Sequence, residues 1–228
     1  MSGLRVGGLV PLTTIDYPGA LAAVIFCQGC PWRCPYCHNP HLLPARGEHM
    51  IPWPEVRRFL ERRRGLLDGV VFSGGEPTVQ PTLASALDQV RGLGFRTGLH
   101  TAGPYPQRLA ALLPRLDWVA LDVKAPLARY DGLTGVPGSG RRLSRSLALV
   151  LERAARWEIR TTVDPALLDR GALLALAREL AARGVRRWVL QRCRRQPGAT
   201  HASPDPLDEP GLLEALRTHV PDIACRPA

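Results

Sequence analysis

The stretch FCQGCPWRCPYCHNP, residues 26–40, places four cysteines within eleven residues. Three of them, Cys30, Cys34 and Cys37, follow a C-x3-C-x2-C spacing. Three thiolates from one short loop can each bind one iron of a four-iron four-sulfur cluster and leave the fourth iron open to a small molecule. The chain begins without a signal-peptide pattern, so cysteines this dense indicate a metal site and not a disulfide framework.

Cys27 leaves a second interpretation open, because Cys27-x2-Cys30 and Cys34-x2-Cys37 together resemble a four-thiolate zinc site. Zinc ribbons separate their two cysteine pairs by about 15–20 residues, whereas three residues separate the pairs here. We therefore expect Cys27 to be a small buried residue at the end of a strand. A non-catalytic iron–sulfur or zinc module remains the rival hypothesis from a different class.

Outside this loop, short apolar runs alternate with amphipathic stretches of helical length. The runs are 21–26, 69–72, 95–100, 118–123, 159–163 and 188–190, and the predicted helices are 53–64, 80–92, 105–113, 141–156, 170–183 and 210–219. Six strands that are each followed by a helix predict a parallel sheet built from right-handed crossovers. Periodicity alone leaves open whether this is an open doubly wound sheet or a partial (β/α) barrel.

Polar residues follow nearly every apolar run, at the point where the predicted strand ends. In barrels the active site lies at the carboxyl ends of the strands, so these residues are candidate ligands. A Gly-Gly pair lets the backbone approach a ligand, and a carboxylate can accept a hydrogen bond from an ammonium group. The candidates are Gly74, Gly75, Glu76, His100, Thr101, Asp122, Lys124, Thr162, Asp164 and Gln191.

The basic residues are almost all arginine. The formal net charge is +10, and Lys124 is the single lysine among 30 basic residues. We read this as a compositional bias that places most arginines on solvated helix faces, which argues against nucleic acid and leaves room for an acidic protein partner. No run of 18 apolar residues exists, so we expect no membrane span and a cytoplasmic protein.

Residues 26–40 resemble the cluster loop of radical S-adenosylmethionine (SAM) enzymes that activate glycyl radical proteins. The earlier segment Ile15-Asp16-Tyr17-Pro18-Gly19 resembles the branch that activates anaerobic ribonucleoside-triphosphate reductase. The resemblance covers residues 5 to about 192. It implies an α/β fold, a partial (β/α)6 barrel with a mainly parallel sheet, with one four-iron four-sulfur cluster and SAM as cofactors.

The resemblance also implies roles for residues beside the cluster cysteines. Tyr36 and His38 are expected to contact the adenine of SAM, and Asn39 to support the loop. The Gly-Gly-Glu turn at 74–76 is expected to hold the methionyl amine. Asp122 and Lys124 match a motif that contacts SAM in this family.

Two strand ends depart from the pattern of the relatives. Some relatives carry Asp-Thr where this chain has His100-Thr101, and there the aspartate helps hold a monovalent cation, which makes a cation site doubtful here. His100 is then either a packed, hydrogen-bonded residue or a SAM contact. Gln191 stands where some relatives have a SAM-contacting histidine, and we expect it to take over that hydrogen bond. Thr162 and Asp164 fit a core or capping role as well as ligand contact.

The predicted organisation is a lead-in at 1–20, a radical SAM core at 21–191, and a loop with a C-terminal helix at 192–228. The Pro-rich segment Arg192–Glu209 is predicted to be a mobile loop near the barrel mouth that orders when a protein partner binds. Cys193 and Cys225 are predicted to be buried structural residues.

The predicted function is reductive cleavage of SAM, after which the 5′-deoxyadenosyl radical takes hydrogen from a glycine of a partner enzyme. Anaerobic ribonucleotide reductase is the expected partner, and a flavodoxin or ferredoxin the expected electron donor. Little of the chain is left over for a separate substrate domain, which favours an open mouth that admits a protein loop. The alternative is a radical SAM enzyme that acts on a small molecule or RNA.

Overall fold

The structure is a computed structural model that describes residues 3–194 and 204–227. One sheet of eight strands forms its frame, and the strand bounds are β1 Val6–Thr13, β2 Ala22–Cys27, β3 Gly69–Gly74, β4 Arg96–Thr101, β5 Trp118–Asp122, β6 Trp157–Val163, β7 Arg187–Arg192 and β8 Asp222–Arg226. The spatial order follows the chain from β1 to β8. β1 pairs antiparallel with β2, and every later neighbour is parallel.

Helices fill the crossovers between the parallel strands. Their bounds are α1 Trp53–Arg62, α2 Leu83–Gly92, α3 Pro106–Leu112, α4 Tyr130–Thr134, α5 Ser139–Arg153, α6 Arg170–Ala182 and α7 Leu212–Arg217. A doubly wound sheet reverses its strand order at a switch point, whereas this order never reverses. Right-handed crossovers that always advance in one direction put the helices on the same face. Strands β2–β7 and their helices therefore form the expected partial (β/α)6 barrel.

The two faces of the sheet bury different partners. In β2, Ala23, Ile25 and Cys27 belong to the large core that the helices cover. The alternate residues Ala22 and Val24 belong to a smaller cluster on the other face. Because alternate strand residues point to opposite faces, this smaller cluster marks the concave inside of the barrel.

Tyr17 fills one end of the concave face. It lies in the segment between β1 and β2 and is 1% exposed. Its ring stacks on Trp118, with ring centroids 5.3 Å apart and planes 23° apart. Gly69 and Gly98 leave the space for it, because a Cβ at either position would lie within 3.3 Å of the Tyr17 ring. The lead-in therefore packs inside the barrel as part of its core.

The six predicted strands and six predicted helices are all present, with ends that differ by at most three residues. The prediction of six strands is wrong in number, because β1 and β8 extend the sheet at its two edges. Gly7 and Gly8 interrupt the apolar pattern of β1, so the sequence does not indicate this strand. β8 is a five-residue strand in a segment that we predicted to be loop and helix. α4, which is five residues long, was also not predicted.

Half of the proposed mobile loop, residues 195–203, lies outside the described part of the chain. At its base the Arg192 guanidinium pairs with Asp205 and Asp208, which ties the end of β7 to the turn before α7. Within residues 3–194 and 204–227, no helix combines the length and the apolar character needed to cross a bilayer.

Replacing Tyr17 with Ala is expected to lower the free energy of unfolding by about 3–5 kcal/mol, the cost of removing a large buried aromatic side chain. The free energy of unfolding is measured by denaturant titration with tryptophan fluorescence as the signal, because Trp118 loses its stacking partner. The matched control is Leu12→Ala on the preceding strand. Leu12 is 53% exposed, so its loss should change stability by no more than about 0.5 kcal/mol. Equal effects of the two changes would contradict a core role for Tyr17.

Candidate active site

A cavity of about 240 Å³ opens at the carboxyl ends of the strands. Twelve of the thirteen site residues predicted from the sequence line it: Cys30, Cys34, Tyr36, Cys37, His38, Asn39, Gly74, Gly75, Thr101, Asp122, Lys124 and Gln191. The parallel strands bring these residues together from five separate parts of the chain. The location is the one that the barrel geometry predicts.

The four clustered cysteines fall into two groups. Cys30, Cys34 and Cys37 are partly exposed and line the cavity. Cys27 is the last residue of β2 and is fully buried, as predicted. Burial raises the pKa of the Cys27 thiol strongly, and burial also raises the pKa of Cys30 to about 12. Metal binding at Cys30 must therefore displace a proton from its thiol, which is usual for thiolate sites.

The zinc interpretation finds no support in the geometry. Among the described residues, no three His, Cys, Asp or Glu side chains converge as ligands of a single metal ion. In a four-iron cluster each thiolate binds a different iron, so the ligands do not need to converge on one point.

Two buried glutamine side chains fasten the cluster loop. The Gln80 amide accepts from Arg5 N at 2.8 Å, and donates to Arg5 O at 2.8 Å and to Gln28 O at 3.0 Å. The Gln28 amide donates to the carbonyls of His41 and Pro44 at 3.0 and 2.8 Å. Buried amides that satisfy several backbone groups hold a loop rigidly, because each lost bond leaves an unpaired buried polar group.

Gly74 and Gly75 allow the end of β3 to lie directly against the cluster loop. Gly74 has a φ of 106°, and a Cβ there would lie 2.6 Å from Cys27 N. A Cβ on Gly75 would lie 2.5 Å from Gly29 O. Any larger residue would push the two segments apart, so both glycines are required by close approach.

Glu76 is the one of these thirteen residues that does not line the cavity. It is 1% exposed, and its carboxylate accepts hydrogen bonds from Thr78 N and Oγ1, from Thr101 Oγ1 at 2.7 Å and from Ala102 N at 2.9 Å. Burial raises its pKa, which these hydrogen bonds oppose. Contact with the methionyl amine stays a prediction, and the observed contacts make Glu76 a support for the end of β4.

Asp122 is the centre of a charged network on the concave face. Its Oδ1 lies 3.0 Å from Arg160 Nη2, and its Oδ2 lies 3.8 Å from Lys124 Nζ. Although burial alone would raise the pKa of Asp122, the two cations hold it below its usual value. Burial likewise disfavours charge on Lys124, but neighbouring Tyr36 and Asp122 raise its pKa well above normal. The lone lysine is therefore a charged, 16% exposed group in the cavity wall.

His100 is held as a neutral hydrogen-bonding residue. Its Nε2 lies 2.9 Å from the carbonyl oxygen of Asp16, so this nitrogen carries the proton, and its Nδ1 accepts from Ser73 Oγ at 3.2 Å. Burial and the nearby Arg160 lower its pKa to about 3. The side chain also lines the cavity. Both of its nitrogens have protein partners, which favours the packed alternative over a SAM contact.

The remaining predicted residues differ in their exposure to the cavity. Thr162 lines it, whereas the Asp164 carboxylate accepts from Ala166 N at 2.9 Å and caps the following turn. Cys193 is half-buried, with its sulfur 3.4 Å from His38 Nε2. Cys225 is exposed on the edge strand β8, so the predicted buried role is wrong for this residue. Cys225 lies two residues after the buried Ile223 and therefore on the same face of β8, but it is near the end of this edge strand, where its side chain reaches solvent.

Asp16, Trp32 and Arg160 line the cavity and were not predicted. Arg160 had a usable signal, because a charged residue stood inside an apolar strand between Ile159 and Thr161. The abundance of arginine in the chain hid it. The sequence carried no comparable signal for the side-chain placement of Trp32.

The sequence model of the radical SAM superfamily matches residues 24–156 of this chain. The Methanocaldococcus jannaschii protein MJ1227, assigned as a glycyl-radical enzyme activating enzyme, is 32% identical over 171 residues, which are 72% of this chain and 70% of that protein. The pyruvate formate-lyase-activating enzyme of Clostridium pasteurianum is 32% identical over 72% of this chain and 71% of its own length. The chain belongs to the radical SAM glycyl-radical-enzyme activating family.

Solved structures agree with this radical SAM fold. SuiB from Streptococcus suis bound to S-adenosylmethionine has a TM-score of 0.66 at 17% identity and covers 87% of this chain. This chain spans about half of SuiB, 48% of its length. QueE from Escherichia coli has a TM-score of 0.60 at 19% identity, over 98% of this chain and 93% of its own. At these identities the likeness shows the fold alone.

Radical SAM enzymes of this family use a four-iron four-sulfur cluster and SAM, and the site fits both groups. Three partly exposed thiols line one cavity, which suits a cluster that takes three protein ligands. Tyr36 also lines the cavity, and its hydroxyl is a buried polar group without a hydrogen-bond partner among the described residues. Buried polar groups are rarely left unpaired, so a bound ligand is a natural acceptor or donor for it.

Changing Cys30, Cys34 or Cys37 to Ala is expected to abolish the four-iron cluster, whereas Cys27→Ala keeps it. The three thiols line the cavity, while the Cys27 thiol is buried and protonated. Iron and sulfide analysis after anaerobic reconstitution measures this, with Cys225→Ala as the exposed control that should retain full cluster content. If Cys27→Ala loses iron while Cys225→Ala retains it, the ligand assignment is wrong.

Lys124→Arg is expected to slow SAM cleavage about a hundredfold while cluster content and fold are kept. Lys124 Nζ lies 5.7 Å from the centre of the Tyr36 ring and beside Asp122, and the longer, planar guanidinium would displace its neighbours. A displacement of about 1 Å between reacting groups can slow a catalysed step about a hundredfold. The measurement is 5′-deoxyadenosine release by the dithionite-reduced protein. Arg187→Lys, at a 59% exposed position, is the control, and wild-type turnover in Lys124→Arg would refute the assignment.

Proposed function

We propose that this protein activates a glycyl radical enzyme by taking a hydrogen atom from a glycine Cα of that partner. The observation that carries the proposal is the 32% identity to activating enzymes over 72% of the chain, with the three cysteines gathered at one cavity. Cys30, Cys34 and Cys37 would hold the cluster, which would supply the one electron needed to cleave SAM into methionine and a 5′-deoxyadenosyl radical. That radical would become 5′-deoxyadenosine by taking the hydrogen atom of the glycine.

The chain's own residues bind and orient in this proposal. Lys124 and Arg160 present two positive charges around the single negative charge of Asp122. This leaves a net positive wall that suits the carboxylate of a methionyl group or a ribose hydroxyl. Gly74 and Gly75 supply bare backbone at the opposite wall. These fixed groups orient the reacting atoms with little reorganisation, which is the main protein contribution in cofactor enzymes.

A side cavity gives a route for a protein segment. It has a volume of about 370 Å³ and shares Asp16, Arg160 and Gln191 with the main cavity. Its far walls come from the segment after β1 and from the end of β8, the two edges of the sheet within the described residues. Ile15 lies on its rim and is 68% exposed. An open, partly apolar rim beside the reaction site supports entry of a loop from a protein partner.

Anaerobic ribonucleotide reductase is the partner that we propose first, because residues 15–19 resemble the lead-in of that branch. Pyruvate formate-lyase is the second candidate, because relatives from Clostridium pasteurianum and Streptococcus mutans are named as its activating enzymes. We propose a flavodoxin or ferredoxin as the electron donor, since the surface of this chain is basic and such donors are acidic. The cytoplasm is the proposed compartment because it keeps cluster thiols reduced.

Electron paramagnetic resonance tests the function directly. The reconstituted, reduced protein is incubated with SAM and either candidate partner, and a glycyl radical signal is expected with one of them. The control partner carries Ala in place of the reacting glycine and should give no signal. SAM cleavage without a glycyl radical in either partner would refute the proposal and favour the small-molecule or RNA alternative.

A further inference from the structure

Trp32 carries a buried hydrogen-bond donor that no group in residues 3–194 or 204–227 accepts. The residue lies between Cys30 and Cys34, is 1% exposed and lines the main cavity. Its indole Nε1 is one of three buried side-chain nitrogen or oxygen atoms without a hydrogen-bond partner in the described residues. An unpaired buried donor costs about 1–3 kcal/mol, so native proteins seldom keep one without a ligand to receive it.

Two other buried indoles of the same chain have hydrogen-bond acceptors. Trp53 Nε1 donates to Gln89 Oε1 at 3.0 Å, and Trp188 Nε1 donates to Thr161 Oγ1 at 2.9 Å. In both cases a polar side chain on a neighbouring element meets the N–H. Trp32 is held just as firmly, since its ring packs edge-to-face on Tyr130 with centroids 5.8 Å apart. The missing acceptor is therefore a feature of this site in particular.

The position of Trp32 in the cluster loop indicates which group accepts its indole N–H. The residue belongs to the three-residue link between the cluster ligands Cys30 and Cys34. Other amides of the loop are committed to protein carbonyls, with Cys30 N bound to Leu43 O at 3.1 Å and Arg33 N to Thr134 O at 3.0 Å. Few donors are then left for the cluster. Thiolate and sulfide sulfurs accept N–H hydrogen bonds, and these bonds raise the reduction potential because reduction adds negative charge.

We propose that the Trp32 indole N–H donates a hydrogen bond to a sulfur of the four-iron cluster and makes the cluster easier to reduce. The proposal rests on the family assignment and on the contacts of Trp32, and it is independent of which partner the enzyme activates. Trp32 is a positioning residue in this sense, because it acts on the cluster and not on the substrate.

Trp32→Phe in the reconstituted enzyme removes the donor and keeps an aromatic ring in the same place. Iron content should stay at the wild-type value. At a fixed ambient potential the ratio of reduced to oxidised cluster should fall about tenfold, which corresponds to 59 mV for a one-electron couple. A redox titration followed by electron paramagnetic resonance measures it. Trp53→Phe makes the same change at an indole that is paired with Gln89, and its cluster should titrate as the wild type does.

Alternative acceptors give different results. A wild-type potential in Trp32→Phe with weaker SAM binding would assign the N–H to SAM and overturn the proposal. A wild-type potential with unchanged SAM binding would assign it to the Tyr130 ring and also overturn it. If Trp32→Phe fails to retain a cluster, wild-type enzyme labelled with ¹⁵N at the indole nitrogen decides. Hyperfine coupling of one such nitrogen to the reduced cluster is expected, and absence of coupling refutes the hydrogen bond.

Discussion

The Asp122 carboxylate, half-buried on the concave face with 32% of its side chain exposed, is the charge around which the site is organised. A carboxylate that is partly removed from water is stabilised by paired cations, and here Arg160 on β6 and Lys124 beyond β5 provide them. Each of these two cations also contacts a residue outside the ion pair. Lys124 lies over the Tyr36 ring of the cluster loop, and Arg160 lies 3.4 Å from the neutral His100, whose other contact holds Asp16. One ionic centre thus connects three strands, the cluster loop and the lead-in.

Two uncharged amide side chains also hold the cluster loop. Gln80 joins the start of β1 to the backbone of Gln28. The Gln28 side chain in turn joins the loop to the segment that follows the cysteines. Amides suit this task because they donate and accept without titrating, so the frame of the loop does not change with pH or with the charge of the cluster. The polar parts of the site are therefore divided between a charged wall that faces ligand and a neutral frame behind the cysteines.

The sequence was sufficient for the location of the site but not for the direction of every side chain. The C-x3-C-x2-C spacing, the glycine pair and the lone lysine predicted residues that line one cavity, because parallel strands bring their carboxyl ends together. Glu76 shows the limit, since the same turn that exposes Gly75 directs the glutamate into the protein, where Thr78 and Thr101 bind it. Trp32 could not be predicted as a donor without an acceptor, because a missing partner exists only in three dimensions.

The two free edges of the sheet have a mechanical consequence. A closed barrel has a radius fixed by its strand number and shear, but within the described residues β1 and β8 end the arc without bonding to each other. The curvature can therefore vary by small changes of twist between strands, and no ladder hydrogen bond has to break. The Tyr17–Trp118 stack fills the concave face over β3, β4 and β5. Its volume therefore limits how tightly these three strands can curl around the site, whereas the free edges set no such limit.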